Sequence, residues 1–367
     1  MRTHKGCSAS GLEGVIAAET ELSEVDGEAG RLVIGGYEVE ALTGSVTFED
    51  VCALLWDGAL PDADGRERMR QALADGRMRA AGLVPLLGNA LSRYDGMDAL
   101  RAAMGHLVPA TGEMNPSITG AAAVFAAAWL RAQMGQGPVM PDPSLSLAAD
   151  YLHMIYGTPA AAPLVAGLDA YLVTVSDHGL NASTFVARVV TSTGSDPVSS
   201  VVAAIGALKG PLHGGAPGPV LDMLDEIGSP ERAASWIEAE LASGKRIMGM
   251  GHRIYRVRDP RAAVLERAVA ALEATGRTTS RLTLARAVER VAESALAAKY
   301  PDRPLRANVE FYTSVLLDAV SLPRALFSPT FAVGRTAGWC AHIAEQRAVG
   351  KLIRPASRYV GDRRAAL

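Results

Sequence analysis

Apolar residues almost never alternate with period two along these 367 residues. Half-buried strands need that alternation, whereas recurrence at three and four residues builds helix faces. The best exception is Arg31-Leu32-Val33-Ile34-Gly35-Gly36-Tyr37-Glu38-Val39, where β-branched residues flank a Gly-Gly turn and predict a small hairpin. Helical signals dominate after it. Thr47-Phe48-Glu49-Asp50 has capping-box character and opens a run to Trp56 that Asp57-Gly58 closes. Further runs lie near 63 to 75, 97 to 106, 116 to 134, 144 to 156 and 160 to 176, separated by Gly and Pro. With aromatics at 5% and alanine abundant, the expected fold class is all-α.

The length and a hydrophobic fraction of 49% allow a large core and suggest two domains. A net charge of -3 leaves no basic excess to neutralise phosphates, which argues against nucleic acid as the main partner. Cys7, Cys52 and Cys340 are scattered without C-x-x-C spacing and read as buried or incidental thiols. Residues 1–10 look like a loose terminus. No apolar signal segment or spanning run is evident, and the Ala-rich Ile118 to Leu130 reads as a buried helix in a cytoplasmic protein.

Met248-Gly249-Met250-Gly251-His252-Arg253-Ile254-Tyr255-Arg256-Val257-Arg258-Asp259-Pro260-Arg261 reads as a binding loop. Gly249 and Gly251 permit left-handed or crowded backbone around His252. Asp259 is an N-cap candidate with Pro260 at the first helical position. Arg261 then falls in a first helical turn, the unfavourable end for a cation, and a bound anion would remove that conflict. The competing reading is a solvated basic face. His178 precedes a helix that Asn181 or Ser183 can cap, so it is either an anion donor or a packing residue. Gly210-Pro211-Leu212-His213-Gly214-Gly215-Ala216 fixes an irregular backbone around one imidazole, which suits a functional His better than a hinge. Glu310 enters an apolar run, where desolvation raises a carboxyl pKa toward that of a general base, or where the carboxylate pairs with a buried Arg. Arg335 sits in an apolar helix and needs an anionic partner.

Taken together, Gly210-Pro211-Leu212-His213-Gly214-Gly215-Ala216, Gly249-Met250-Gly251-His252-Arg253 with Asp259-Pro260-Arg261, Asn308-Val309-Glu310-Phe311-Tyr312, Gly334-Arg335-Thr336-Ala337-Gly338-Trp339 and Arg354-Pro355 resemble citrate synthase in their order. The resemblance extends from Gly11-Leu12-Glu13-Gly14-Val15 to Tyr359-Val360-Gly361. It is closest to the short bacterial form, without the extended N-terminal region of the hexameric, NADH-regulated type.

The resemblance implies a large helical domain from 1–209 and 316–367, a smaller helical domain from 210–315, and an active site in the cleft between them. It implies condensation of acetyl-CoA with oxaloacetate and water to give citrate and CoA. The catalytic residues would be His213, Glu310 and His252. Oxaloacetate would be held by His178, His252, Arg261 and Arg335, with Arg354 reaching in from the other subunit of a homodimer. CoA would meet Arg246, Ile247, Met248, Gly249, Met250, Gly251, Arg256 and Asn308. Acetyl-CoA is then a substrate, no cofactor or metal is expected, and neither nucleic acid nor membrane is a partner. Bidentate guanidinium forks suit a dicarboxylate better than lysines would.

The family usually carries Asp where this chain has Glu310, and the extra methylene displaces the carboxylate by roughly 1.5 Å. Some short bacterial relatives also read Asn-Val-Glu. Three alternatives accompany this expectation. One is 2-methylcitrate synthase, the same chemistry on propionyl-CoA, since one methylene in an apolar pocket discriminates by only about 1 to 3 kcal/mol. Another is a non-catalytic CoA or dicarboxylate binder. His213, His252 and Glu310 also have the composition of a two-His-one-carboxylate iron site, but without the short H-x-D/E spacing.

Overall fold

The computed structural model describes residues 11–12, 14–108, 114–213, 217–276 and 280–362. The loose terminus expected over residues 1–10, Cys7, Glu13 and the Gly214-Gly215-Ala216 part of the His213 motif lie outside the described residues.

The one predicted hairpin forms, with a strand in front of it that the sequence did not suggest. Strands β1 (Ser23–Asp26), β2 (Arg31–Ile34) and β3 (Tyr37–Glu38) make an antiparallel sheet in that order. Gly35 and Gly36 have φ of 55° and 87°, as a tight I′ connection requires. β1 was missed because Ser-Glu-Val-Asp has no apolar alternation, and only pairing with β2 makes it a strand.

Fifteen α-helices and several 3₁₀ turns complete the described chain. They are α1 (Val39–Leu42), α2 (Phe48–Asp57), α3 (Ala63–Leu83), α4 (Gly96–Met104), α5 (Met114–Gln133), α6 (Leu147–Tyr156), α7 (Ala162–Val175) and α8 (Ala182–Thr191). After these come α9 (Pro197–Leu208), α10 (Pro217–Ile227), α11 (Ala233–Ala242), α12 (Pro260–Ala274), α13 (Ser280–Lys299), α14 (Val309–Ala319) and α15 (Phe327–Val349). No described helix is long and apolar enough to cross a membrane.

Local chemistry explains the starts and stops. Thr47 accepts from Asp50 N–H while Asp50 accepts from Thr47 N–H, and α2 ends on Gly58 in the left-handed region. Asn181 caps α8 and Asp259 caps α12. α3 runs past Gly76, where the sequence suggested a stop. A Cβ at Gly76 would lie 2.4 Å from the Pro116 carbonyl, and one at Gly120 would lie 2.7 Å from Arg77 N. These glycines let α3 and α5 touch backbone to backbone, and the packing gained outweighs the poor helix propensity of glycine. Around α5 the core is continuous: Ile118 to Leu130 are all buried, and α3, α4, α6 and α15 pack on it. Cys52 and Cys340 are free and buried.

Candidate active site

The site is built where helix ends converge. α7 delivers the loop Ser176–Asn181 with His178, α9 is followed by His213, the 243–259 loop carries His252 into the start of α12, and α14 and α15 bring Glu310 and Arg335. β1 and the β1–β2 turn brace two of these loops. Ser23 Oγ donates to Asp177 and accepts from Gly179 N–H, and Gly27 O accepts from Arg256 N–H at 2.8 Å. A Cβ on Gly27 would lie 2.4 Å from the Ile254 carbonyl, so glycine is needed there for close approach.

His252 has a defined tautomer. Its Nδ1 accepts from the N–H groups of Ile254 and Tyr255, both at 3.1 Å, so the proton lies on Nε2. That Nε2 stands 3.5 Å from Arg261 Nη2. Two donors face each other there, a natural place for an anionic or carbonyl oxygen. Burial, with Arg261 alongside, pulls His252 down to about 4, so the ring is neutral at pH 7.

Arg261 is itself buried, and the conflict anticipated at the helix start is resolved within the chain. Asp259 accepts from Arg261 Nε at 3.0 Å and Nη2 at 2.8 Å while also capping α12 and accepting from Val309 N–H at 3.2 Å. Burial works against the Arg261 charge, but the Asp259 carboxylate prevails and raises its pKa. Arg253 and Arg256 are exposed, and Arg258 pairs with Glu266 and Glu289. The basic run is therefore divided between site, scaffold and solvent.

His178 is buried against Tyr255, whose hydroxyl is 3.1 Å from Nε2, and its ring centroid is 5.8 Å from that of His252. Burial, Arg261 and Arg335 hold its pKa well below the usual imidazole value. His213 Nε2 accepts from Ser183 N–H at 3.2 Å, which leaves the proton on Nδ1. Ser183 Oγ lies 2.8 Å from the same nitrogen and accepts from Trp339 Nε1 at 3.1 Å. Burial, with Arg335 and Arg261 nearby, brings His213 down to about 4.

Glu310 is the second residue of α14, after the cap Asn308. Burial pushes its carboxyl up to about 7, against the pull of Arg261 and Arg335. Arg335 Nε donates to Val175 O at 2.7 Å and its guanidinium lies 4.8 Å from the Phe331 ring. Burial lowers Arg335 to about 10 despite the Asp177 charge, and it remains cationic at neutral pH. His342 and Arg188 stand behind Asp177: Arg188 Nη1 donates to His342 Nδ1 at 3.0 Å, which turns the imidazole Nε2–H toward Asp177.

The binding-loop glycines behave as their sequence suggests. Gly249 and Gly251 have φ of 73° and 89°, Gly249 O accepts from Asn308 N–H, and Asn308 Nδ2 donates to Gly251 O at 2.8 Å. Met250 bridges to Ala307, Ile247 is buried, Met248 is partly buried, and Arg246 is exposed beside them. Arg354 is different. It lies exposed on the extended 351–360 tail and joins none of these contacts among the described residues. His178, His213, His252, Arg261, Glu310 and Arg335 thus gather, whereas Arg354 does not do so within one chain. Sequence reasoning missed the anchoring of Arg261 by Asp259, the contact of Tyr255 with His178, and that of Ser183 with His213. An aromatic between Ile254 and Arg256 in an otherwise basic loop was the available signal for Tyr255. Among the described residues, no group of three or more His, Cys, Asp or Glu is placed to hold a metal ion.

Comparison with known proteins bears on what this arrangement belongs to. The family model described as citrate synthase, C-terminal domain, matches residues 11–356. A Mycobacterium tuberculosis relative is 40% identical over 370 residues, covering 96% of this chain and 92% of that protein. The Haloferax volcanii citrate synthase is 36% identical over 372 residues, covering 96% of each. Among solved structures, citrate synthase from Thermotoga maritima aligns with a TM-score of 0.85 and 32% identity over 98% of both chains. The ternary complex of carboxymethyl coenzyme A and oxaloacetate with the Thermoplasma acidophilum enzyme aligns with a TM-score of 0.86 and 26% identity over 97% of both.

Proposed function

The chain belongs to the citrate synthase family, and from that premise we propose that its cleft condenses acetyl-CoA with oxaloacetate and water to give citrate and CoA. It is an acyl-transferring enzyme in which the acyl group becomes alkyl. The observation that carries this reading is a buried Glu310 poised near pH 7 beside two neutral histidines of fixed tautomer and two buried arginines.

Arg261 and Arg335, with His178, hold the oxaloacetate carboxylates in this mechanism, and Arg354 completes the set from a second copy of the chain. The 246–251 backbone, Arg256 and Asn308 receive CoA. Glu310 removes a proton from the thioester methyl while His213 Nδ1–H donates to the thioester carbonyl, so that the charge of the enol or enolate is met as it forms. The nucleophilic carbon attacks the keto carbon of oxaloacetate, and His252 Nε2–H supplies the proton to the keto oxygen. Water then cleaves the citryl thioester, releasing CoA and citrate. A carboxyl near pH 7 suits the first step, because it is half ionised at working pH and still basic. We place the hinge between residues 1–209 with 316–367 and residues 210–315; closure on oxaloacetate would exclude water from the enolate. A cytoplasmic homodimer is part of the same proposal.

The test is CoA thiol release by purified protein with oxaloacetate, comparing acetyl-CoA with propionyl-CoA and using Glu310→Gln as control. Release with acetyl-CoA that disappears in the variant is expected. Faster release with propionyl-CoA would reassign the enzyme to 2-methylcitrate synthesis, and none with either thioester would overturn the catalytic reading in favour of a binding protein.

A further inference from the structure

α7 packs against both α14, which carries Glu310, and α15, and each of the three helices brings at least one buried polar atom with no hydrogen-bond partner among the described residues. These are Glu310 Oε2 and Thr313 Oγ1 on α14, the Tyr171 hydroxyl on α7 and Arg335 Nη2 on α15. Their placement follows from the packing. A Cβ at Gly167 of α7 would meet Val320 and Leu316, at the far end of α14. Just past the other end of α7, His178 meets Tyr255, which packs against Arg261, and Asp259 joins Arg261 to Val309 N–H at the start of α14, so the helices run antiparallel. Tyr171, one turn on from Gly167 on the same face of α7, therefore turns its phenol toward α14 on the Glu310 side of Leu316. One more turn along α7, Val175 O accepts from Arg335 Nε, which ties α15 to the same junction.

Burying a hydroxyl with no partner is unfavourable, and phenylalanine would give the same ring without that cost. Of the neighbouring donors that could serve Glu310, several are committed, which leaves Arg335 Nη2 as the competitor of the Tyr171 hydroxyl. Arg261 Nε and Nη2 go to Asp259, Arg335 Nε to Val175, Asn308 Nδ2 to Gly251, and Ser314 Oγ to the Glu310 carbonyl. Thr313 rides on the same helix as Glu310, three residues on, and gives no support from a facing element. A glutamate also has one more side-chain torsion than an aspartate, and its carboxylate needs lateral restraint to stay aligned with a substrate methyl.

We propose that Tyr171 is a positioning residue for Glu310, its hydroxyl donating to Oε2 when the carboxyl is ionised and turned toward the thioester. This rests on the reading of Glu310 as the base. Burial and the Glu310 charge hold the phenol well above its usual pKa, so it stays a protonated donor throughout the working range.

The experiment is Tyr171→Phe in the full chain, with ¹³C at glutamate side-chain carboxyls and the Glu310 resonance assigned through Glu310→Gln. Loss of a hydrogen bond to the ionised form should move the Glu310 titration midpoint up by about one pH unit. The acidic limb of the kcat–pH profile should move with it, lowering kcat at pH 7 several-fold and leaving the KM for oxaloacetate within about twofold. The ligand-free thermal midpoint should not fall. A Glu310 titration that stays where it was, with or without a lower thermal midpoint, would overturn the proposal in favour of a packing role. If the parent protein releases no CoA, the functional reading falls, and the carboxyl titration still decides the role of Tyr171.

Discussion

Replacing Glu310 with Gln separates what the site gains from this carboxyl from what the fold loses by holding it. Its pKa rises from the usual 4.5 to about 7 because burial disfavours the charge. Between those values the folded chain keeps a proton that the unfolded chain has released. The corresponding stabilisation is full below pH 4.5 and is lost as pH climbs through 7. At 1.36 kcal/mol per pH unit, ionising Glu310 in the folded protein costs about 3 kcal/mol once the pH passes 7. Gln has nearly the same shape and never ionises. Relative to the parent, Glu310→Gln should therefore gain less than about 1 kcal/mol at pH 5 and about 3 kcal/mol at pH 8. In a chain of this length that is roughly 4 °C in Tm. Urea unfolding of ligand-free protein at the two pH values reads the difference, and CoA release should be abolished in the same preparation. A gain equal at both pH values, or a variant less stable at pH 8 than its parent, would refute the burial argument.

Asp259→Asn keeps the helix cap but removes the charge that holds buried Arg261, and should cost about 3 kcal/mol or more in urea unfolding; oxaloacetate should restore part of the loss, and a variant with parental stability would sink the ion-pair account. Gly27→Ala forces a methyl against the Ile254 carbonyl and should raise the KM for oxaloacetate several-fold with helical circular dichroism unchanged; an unaltered KM would mean that the β1–β2 turn does not hold the loop. Arg354→Ala and His213→Ala should each be inactive alone. Reassociated mixtures should recover roughly a quarter of parental activity if sites are shared across a two-fold interface, and recovery of none would place Arg354 elsewhere.

Features carried by neighbouring residues were legible in the sequence. The capping box at Thr47, the Asp259-Pro260 helix start, the cap at Asn181 and the Gly-Gly turn each depend on side chains within a few positions, and each forms. Glu310 and Arg335 stood out because ionisable residues in apolar runs conflict with burial. Illegible features needed a distant partner. β1 exists through β2, α3 continues through Gly76 because α5 approaches it, and the unpartnered Tyr171 hydroxyl stands out only once α7 is seen to pack on α14. Arg354 is a different case: its motif could be read, yet a single chain leaves it on an exposed tail.

The bond from Arg256 N–H to Gly27 O has a consequence for how the protein is made. The turn that grips the 254–258 loop is synthesised well before its partner, which follows roughly 230 residues later, an interval of roughly 10 to 45 seconds at ordinary elongation rates. Ser23 can meet Asp177 and Gly179 part-way through that time, but Gly27 O has no Arg256 N–H to accept from until its end. Its strands are only two to four residues long, which limits the open edge they offer to other nascent chains. Pausing or truncation before residue 256 should therefore yield a chain with much of its helical core but no closed oxaloacetate pocket, so substrate affinity would be among the last properties acquired during synthesis.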